Sequence, residues 1–183
     1  MTLKTSVFIA ASLDGFIARE NGDLDWLTGQ PSGDPDEDYG YSSFIDTVDV
    51  LVMGRHTYEK VRSFDIWPYQ DLHVVVLSTQ KPEVPDELKK NVEVRNLSPR
   101  DVVKKLSDEG FQHAYIDGGR TLSQFLNAGL LDELIITRIP VLIGNGIPLF
   151  EKIDQDIHLV HEESASFDNG FVQSRYRIKS AAG

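Results

Sequence analysis

Val50-Leu51-Val52-Met53-Gly54-Arg55-His56-Thr57-Tyr58-Glu59 decides how the rest of this chain is read. Its first four residues make an apolar run of strand length. Gly54 ends the run, and Arg55-His56-Thr57 open a helix. A strand feeding a helix N-terminus leaves backbone N–H groups unpaired and puts the positive end of the helix dipole at one point, where an anion can sit. Gly54 permits close backbone approach, Arg55 offers a two-pronged guanidinium, and Thr57 adds a hydroxyl. This chemistry suits a phosphate. The same residues also describe a tight strand-to-helix turn carrying a surface arginine.

Outward from this turn, strands and helices alternate. Residues 7–11 read as a buried strand, followed by a loop from Asp14-Gly15 through Asn21-Gly22 to Trp26. Residues 36–47 are expected to form a helix with Tyr41, Phe44, Ile45 and Val48 turned inward. Residues 72–77 are the next strand. Ser98-Pro99-Arg100-Asp101 carries a capping hydroxyl, a proline at the first helical position and an acid at the third. Residues 113–117 form a strand that ends in Gly118-Gly119, and a helix over 121–128 stops at Gly129. Strands then follow at 134–142, 157–163 and 171–179, the last with Val172, Tyr176 and Ile178 on one face. Asp168-Asn169-Gly170 signals a hairpin between the final two. The expected fold is therefore α/β, with a mixed, mostly parallel central sheet, helices on both faces and an antiparallel C-terminal hairpin.

Composition narrows the function. The 183 residues fit a single domain (1–183) with a sizeable core, and 40% hydrophobic with 26% charged residues is ordinary for a globular protein. No apolar run reaches membrane-spanning length, and the first residues carry no signal-peptide pattern. With Cys 0 there is neither a disulfide framework nor a thiolate zinc site, which fits a cytoplasmic protein. A net charge of −11 argues against nucleic acid or an anionic membrane as partner. A small anionic ligand remains compatible where a few Arg and Lys reverse the local field. Part of the acid excess lies in residues 34–38, readable as a solvated loop or an acidic first helical turn.

Three strand ends now carry comparable chemistry: Gly54-Arg55-His56-Thr57, then Leu77-Ser78-Thr79 with Lys81 behind, then Gly118-Gly119-Arg120-Thr121. Three in order on one sheet suggest a dinucleotide stretched across its edge, in the crevice beyond the carboxyl ends of the strands. No G-x-G-x-x-G opens a helix after the first strand, so this is not the Rossmann fingerprint, and Gly144-Asn145-Gly146 reads as a loop.

With these residues in view, nearly the whole chain resembles the dihydrofolate reductase-like fold and, within it, stand-alone relatives of the reductase domain of bacterial riboflavin biosynthesis. The matching segments are Ser12-Leu13-Asp14-Gly15-Phe16-Ile17-Ala18, the Met53–Glu59 turn, Val75-Val76-Leu77-Ser78-Thr79, Ile116-Asp117-Gly118-Gly119-Arg120-Thr121-Leu122 and the late loop from Leu142 to Phe150. The resemblance implies NADPH as cofactor and hydride transfer to a pterin or a pyrimidine ribosylamine. It implies that Ala10, Ala11 and Ile17 line the nicotinamide pocket. Gly54 and Arg55 open the first phosphate turn, and Arg55 and Thr79 meet the 2′-phosphate with Leu77 and Ser78 close by. Thr57 sits where ribose and pyrophosphate meet. Ile116, Gly118, Gly119, Arg120, Thr121 and Leu122 form the pyrophosphate turn. On the substrate side it places Trp26 on a loop closing over the nicotinamide and Thr137 as a hydroxyl near the substrate. A homodimer is expected on the same ground.

The match frays on the substrate side. The family spacing of the single reductase carboxylate falls on or near Asp38, which a solvated helix start explains equally well. Asp117 stands where the riboflavin enzymes place an acid before Gly-Gly, suited to a ribose hydroxyl. Asp14 either does likewise or caps its own turn. The Asp-Pro-x-Leu segment and downstream arginine of those enzymes are missing; the chain reads Ser63-Phe64-Asp65-Ile66-Trp67-Pro68-Tyr69. Phe64, Trp67 and Tyr69 either wall a flat heterocycle or pack in the core. His158 and His161, three apart on a strand, point to opposite faces and suggest surface residues, so no metal is expected. His56 and His113 have no partner visible in the sequence. The expected activity is an NADPH-dependent reductase of the 5-amino-6-(5-phosphoribosylamino)uracil reductase type. A weak dihydrofolate or pterin reductase and a non-catalytic NADPH-binding module are the rivals.

Overall fold

A computed structural model describes residues 2–30 and 36–179. Among these described residues ten strands and five helices follow in chain order: β1 Lys4–Ser12, β2 Phe16–Ala18, α1 Asp25–Thr28, α2 Tyr41–Ile45, β3 Val50–Gly54, α3 Arg55–Arg62, β4 His73–Leu77, β5 Val92–Arg95, α4 Pro99–Asp108, β6 His113–Asp117, α5 Gly119–Asn127, β7 Glu133–Ile139, β8 Ile147–Pro148, β9 Leu159–Ser166 and β10 Val172–Ile178. Eight strands form one sheet in the order β5-β4-β3-β6-β1-β7-β10-β9. From β5 to β7 every pairing is parallel. β10 runs antiparallel to both β7 and β9.

β3 shows how the sequence builds two cores. Its side chains alternate faces with period two. Val50 and Val52 join the cluster holding Val102 and Leu106 of α4 and Leu122 and Phe125 of α5. Leu51 and Met53 join the cluster of Phe44 from α2 and Tyr58 from α3. A strand buried on both faces must be apolar throughout, which is why residues 50–53 read as a continuous run. Full burial of a side chain such as Phe125 contributes about 2–3 kcal/mol of transfer free energy. α4 begins as expected, with Ser98 Oγ accepting from Asp101 N at 3.2 Å and Pro99 in the first turn.

Several boundaries differ from expectation. The helix expected over 36–47 is only Tyr41–Ile45, because Tyr39 (φ 58°) and Gly40 (φ 81°) take left-handed conformations just before it. Asp34 and Pro35 lie outside the described residues. β7 ends at Ile139 because Pro140 has no N–H to continue the ladder. Val172 is 43% exposed, so only Tyr176 and Ile178 pack inward on that strand. The helix after Gly118 starts two residues earlier than expected, at Gly119. β2, β5 and β8 are additional strands, two to four residues long and too short to carry a periodic signal in the sequence.

Candidate functional site

β3 and β6 are neighbours in the sheet, yet the helices that follow them lie on opposite faces, α3 on the Leu51 side and α5 on the Val50 side. That divergence opens a crevice beyond the strands' carboxyl ends, the place where open α/β sheets bind ligands.

Both helices begin uncapped at a glycine. Gly54 precedes α3 and Gly118 precedes α5, each without a side-chain cap, whereas α4 is closed by Ser98. The N–H groups of Arg55, His56 and Thr57, and those of Gly119, Arg120 and Thr121, fall in first turns where no intrahelical acceptor exists. The two turns also interlock. A Cβ on Gly54 would meet Thr121 Oγ1 at 2.9 Å, and one on Gly118 would meet Thr57 Oγ1 at 2.4 Å. Each threonine is the third residue of its helix and rests on the other helix's capping glycine. Gly118 also holds φ 94°, a backbone conformation that favours glycine. Gly119 has no room for a side chain, since its Cβ would lie 2.4 Å from Pro148 O and 3.3 Å from Ile17 Cδ1.

Arg55 turns back along its own helix. Its Nη1 donates to Glu59 at 2.8 and 3.0 Å, and its Nη2 lies 3.2 Å from His56 Nε2. One strand further out, Leu77 closes β4, and beyond it Ser78 and Thr79 border a cleft of about 430 Å³ that also takes in Lys81, Lys89 and Asn96. Gln80 N donates to Ser78 Oγ at 3.0 Å. Ile116 and Leu122 are fully buried. Their side chains therefore support the turn from the core and do not line the crevice.

On the other side of the crevice, Ala10 and Ala11 lie just before Ser12, the last residue of β1, with Ala11 buried. Trp26 of α1 is buried in a separate cluster with Ile139 and Phe171, packed by Ala10. Its indole N–H has no acceptor among the described residues. Asp14 latches two loops together: its carboxylate accepts from Ser12 Oγ at 2.6 Å and from the N–H groups of Ile143 and Gly144 at 3.1 and 2.7 Å. The Ser12 hydrogen bond, against an opposing desolvation, holds this carboxyl below the ordinary range. Leu149 N donates to Gly15 O, and β2 pairs with β8, so the same two loops are joined at three points.

Asp38 caps α2. Its oxygens accept from Gly40 N and Ser42 N, each at 2.9 Å, and hydrogen bonds from Ser42 and the backbone lower its pKa. Thr137 is buried and its Oγ1 accepts from Gln173 Nε2 at 3.0 Å; the same amide reaches Tyr39 O at 3.0 Å. Asp117 ends β6 and accepts from Gly118 N at 2.8 Å. Burial pushes its carboxyl up to about 6, opposed by that one backbone bond. Burial, and then the charge of Asp117, also raise the phenols of Tyr41, Tyr69 and Tyr115. Trp67 and Tyr69 pack against the α2–α3 core, while Phe64 is 43% exposed.

The crevice thus gathers Gly54, Thr57, Gly118, Gly119 and Thr121 closely, with Arg55, Ser78 and Thr79 on one flank and Ala10, Ala11, Ile17 and Asp117 on the other. Arg120 is exposed. Sequence reading missed Tyr39, Tyr41 and Gln173 as residues bordering the site; Tyr39 and Tyr41 flank Gly40, a turn signal that was open to reading. His113 does have partners, Ser6 Oγ at 2.8 Å and Thr47 O at 2.9 Å, but at the far end of the sheet. His158 and His161 are exposed, and no group of metal-ligating side chains occurs among the described residues. Nor is any described helix long and apolar enough to cross a membrane.

Residues 4–173 match the RibD C-terminal domain. The chain belongs to the RibD C-terminal domain family. Two Bacillus subtilis (strain 168) relatives are uncharacterized: YwjB, 38% identical over 161 residues (87% of this chain, 89% of YwjB), and YyaP, 30% identical over 183 residues (92% and 91%). A solved structure from Shewanella sp. PV-4, provisionally named for riboflavin biosynthesis, superposes with a TM-score of 0.90 at 39% identity, covering 97% of this chain and 99% of that one. The fold is shared with the Thermotoga maritima deaminase and 5-amino-6-(5-phosphoribosylamino)uracil reductase at a TM-score of 0.73 and 14% identity; 97% of this chain covers 57% of that protein. The RibD C-terminal domain is thus present here as a mostly parallel sheet flanked by helices and closed by an antiparallel hairpin.

Proposed function

We propose that this chain is an NADPH-dependent reductase that delivers hydride to a small heterocyclic substrate, with reduction of 5-amino-6-(5-phosphoribosylamino)uracil as the nearest reaction type. The observation that carries the reading is the pair of interlocked, uncapped helix N-termini at the divergence of α3 and α5. They offer two sets of N–H groups without intrahelical acceptors at one place, and a Cβ on either capping glycine would meet the opposite helix's threonine hydroxyl. This fits a pyrophosphate. The 430 Å³ cleft beyond Ser78 and Thr79 takes the adenosine end, with Arg55 available to a 2′-phosphate once released from Glu59. Ala10, Ala11 and Ile17 hold the nicotinamide end, three strand spacings away, roughly 14 Å. NADPH supplies the hydride; the chain binds, orients and excludes water.

On the substrate side, Thr137 offers a hydroxyl whose orientation Gln173 fixes. Asp117, the one carboxyl here pushed toward neutrality, contacts the substrate and is the group best suited to hold a transferable proton. Asp14 and Asp38 enter the reading as residues that shape the loops, because N–H donors already surround both carboxylates. A cytoplasmic homodimer is part of the proposal by family resemblance, and light scattering tests the dimer.

The test is NADPH consumption by the purified protein over a panel of ribosylaminopyrimidines, pterins and simple carbonyls. The reading expects turnover with at least one pyrimidine and weaker or no turnover with pterins. Binding of NADPH without oxidation across the whole panel would instead support a non-catalytic binding module.

A further inference from the structure

One row of the sheet carries polar groups that the fold itself leaves half used. Ala10, Thr137 and Gln173 are Cα partners on β1, β7 and β10, so their side chains share one face. It is the face of α2 and α3, because Phe8 and Ile135, two residues earlier on β1 and β7, pack there. Thr137 and Gln173 stand one and two strands from Ala10, roughly 5 and 10 Å along the sheet. Ala10 and Gln173 are half-buried, and Thr137 is buried.

The hydrogen bonds of this row fix which atoms are engaged. Gln173 Nε2 lies 3.0 Å from Tyr39 O and 3.0 Å from Thr137 Oγ1. A backbone carbonyl only accepts, so the amide nitrogen is the end that faces it, and both its hydrogens are used. Gln173 Oε1 is thereby held in place. It takes no donor from the described residues, yet it is not a buried orphan as Trp26 Nε1 is, so it reaches solvent. Thr137 Oγ1 accepts from Gln173, and its own hydrogen has no acceptor among the described residues. One free donor on Thr137 and one free acceptor on Gln173 are left side by side on adjacent strands.

A ligand that satisfies both presents a carbonyl oxygen beside an N–H. A cyclic lactam or imide has that pair along its ring edge. A simple ketone or aldehyde offers the oxygen alone and leaves Oε1 without a donor.

We propose that Gln173 is a specificity-determining residue that, with Thr137, reads the lactam edge of the substrate ring. Thr137 Oγ1 donates to the ring carbonyl, and Gln173 Oε1 accepts from the neighbouring ring N–H. The inference rests on the reductase reading, which puts the nicotinamide at Ala10, and adds to it the residues that hold the heterocycle.

The probes are 5-amino-6-ribitylaminouracil 5′-phosphate, the reduced product, and its N1-methyl and N3-methyl derivatives, each of which lacks one ring N–H. Each is titrated calorimetrically into the full chain saturated with NADP⁺. The parent compound is expected to bind about tenfold or more tightly than one of the two derivatives. Gln173→Met, similar in volume but without the acceptor, is expected to bring that ratio within about threefold at unchanged NADP⁺ affinity. Thr137→Val is expected to weaken the parent about fivefold or more, and Thr137→Ser to restore it. A residue that only props Tyr39 would affect all three ligands alike, so an unchanged ratio in Gln173→Met overturns the inference. Equal binding of the three ligands by the unaltered chain, a result that needs no variant to fold, overturns it as well. So does failure of the parent to bind beside NADP⁺. Failure of NADP⁺ itself to bind tells instead against the reductase reading, and titration without cofactor still reports the ratio.

Discussion

Thr57 Oγ1 occupies the space that a side chain on Gly118 would need, 2.4 Å from its Cβ position. Thr121 does the same to Gly54 at 2.9 Å. The two helix starts therefore set one another's position, and the gap between their free N–H groups is fixed by van der Waals contact between residues remote in sequence. Rigid spacing of this kind is what an extended, doubly charged ligand requires.

Gly118→Ala tests the interlock. The clash and the φ of 94° act together, so a loss of about 2–4 kcal/mol in urea unfolding is expected, with NADPH affinity falling at least tenfold. Adding Thr57→Ala removes the clash, because only Thr57 Cβ remains, at 3.6 Å. The double variant should regain part of the stability. A double variant no more stable than Gly118→Ala would show that the hydroxyl contact is immaterial.

Arg55 and Glu59 form an exposed ion pair one helical turn apart. Such pairs contribute about 0.3–0.5 kcal/mol, little enough for a phosphate to compete for the guanidinium. Arg55→Ala is expected to weaken NADPH binding tenfold or more with little change for NADH, measured by fluorescence titration. Glu59→Gln should leave NADPH binding unchanged or up to about twofold tighter. Equal losses of both cofactors in Arg55→Ala would remove Arg55 from 2′-phosphate recognition.

Asp117 should cost the empty protein stability. Its folded pKa is about 6 against an ordinary 3.8, so the unfolded chain ionises first. The fold is at full strength below 3.8, weakens as pH rises toward about 6, and stays weakened above. The difference corresponds to about 2–3 kcal/mol. Asp117→Asn keeps an acceptor for Gly118 N and is expected to raise Tm at pH 8, with no gain at pH 4. A gain that persists at pH 4 would mean that ionisation is not the cause.

His113 carries the opposite dependence. Desolvation lowers its pKa beneath 6.5, against the hydrogen bond to Thr47 O, so the neutral ring is the form the fold prefers. Lys4, Glu133 and Asp49 also act on the ring, Lys4 favouring the neutral form and the two acids the charged one. Stability is fully present above 6.5 and declines as pH falls through that value toward the folded pKa. His113→Gln should flatten this slope in unfolding curves taken between pH 7.5 and 5; an unchanged slope would assign it to another group.

The turns at Gly54 and Gly118 were legible in the sequence because their signals are local: an apolar run, a glycine, then a helix start. So was the alternation of strand and helix that implies a parallel sheet. What stayed hidden depends on contacts between distant segments. Gly40 is a local turn signal, but Tyr39 beside it takes φ 58° with its ring packed against Phe167 and Phe171 and its hydroxyl accepting from Asn169, 130 residues away, contacts that no local pattern foretells. Asp14 and Asp38 look like acids in search of a substrate until the N–H groups around them are seen. The Gly–Thr exchange needs the order of β3 and β6 in the sheet, and the packing of Phe44 against Tyr115 needs α2 brought over β6.

The position of β1 bears on how the chain acquires its site during synthesis. β1 is made first, yet it lies between β6 and β7, pairing Lys4 with His113 and Ser12 with Ile139. Loop closures this long are slow to form. A nascent chain must hold that strand without its partners until most of the protein has left the ribosome. The side of the crevice formed by the end of β1 and the loop after it, completed only when Asp14 meets Ile143 and Gly144, is then among the last parts to form, and chains cut short before residue 139 carry the two glycine-led helix starts without the surface opposite them.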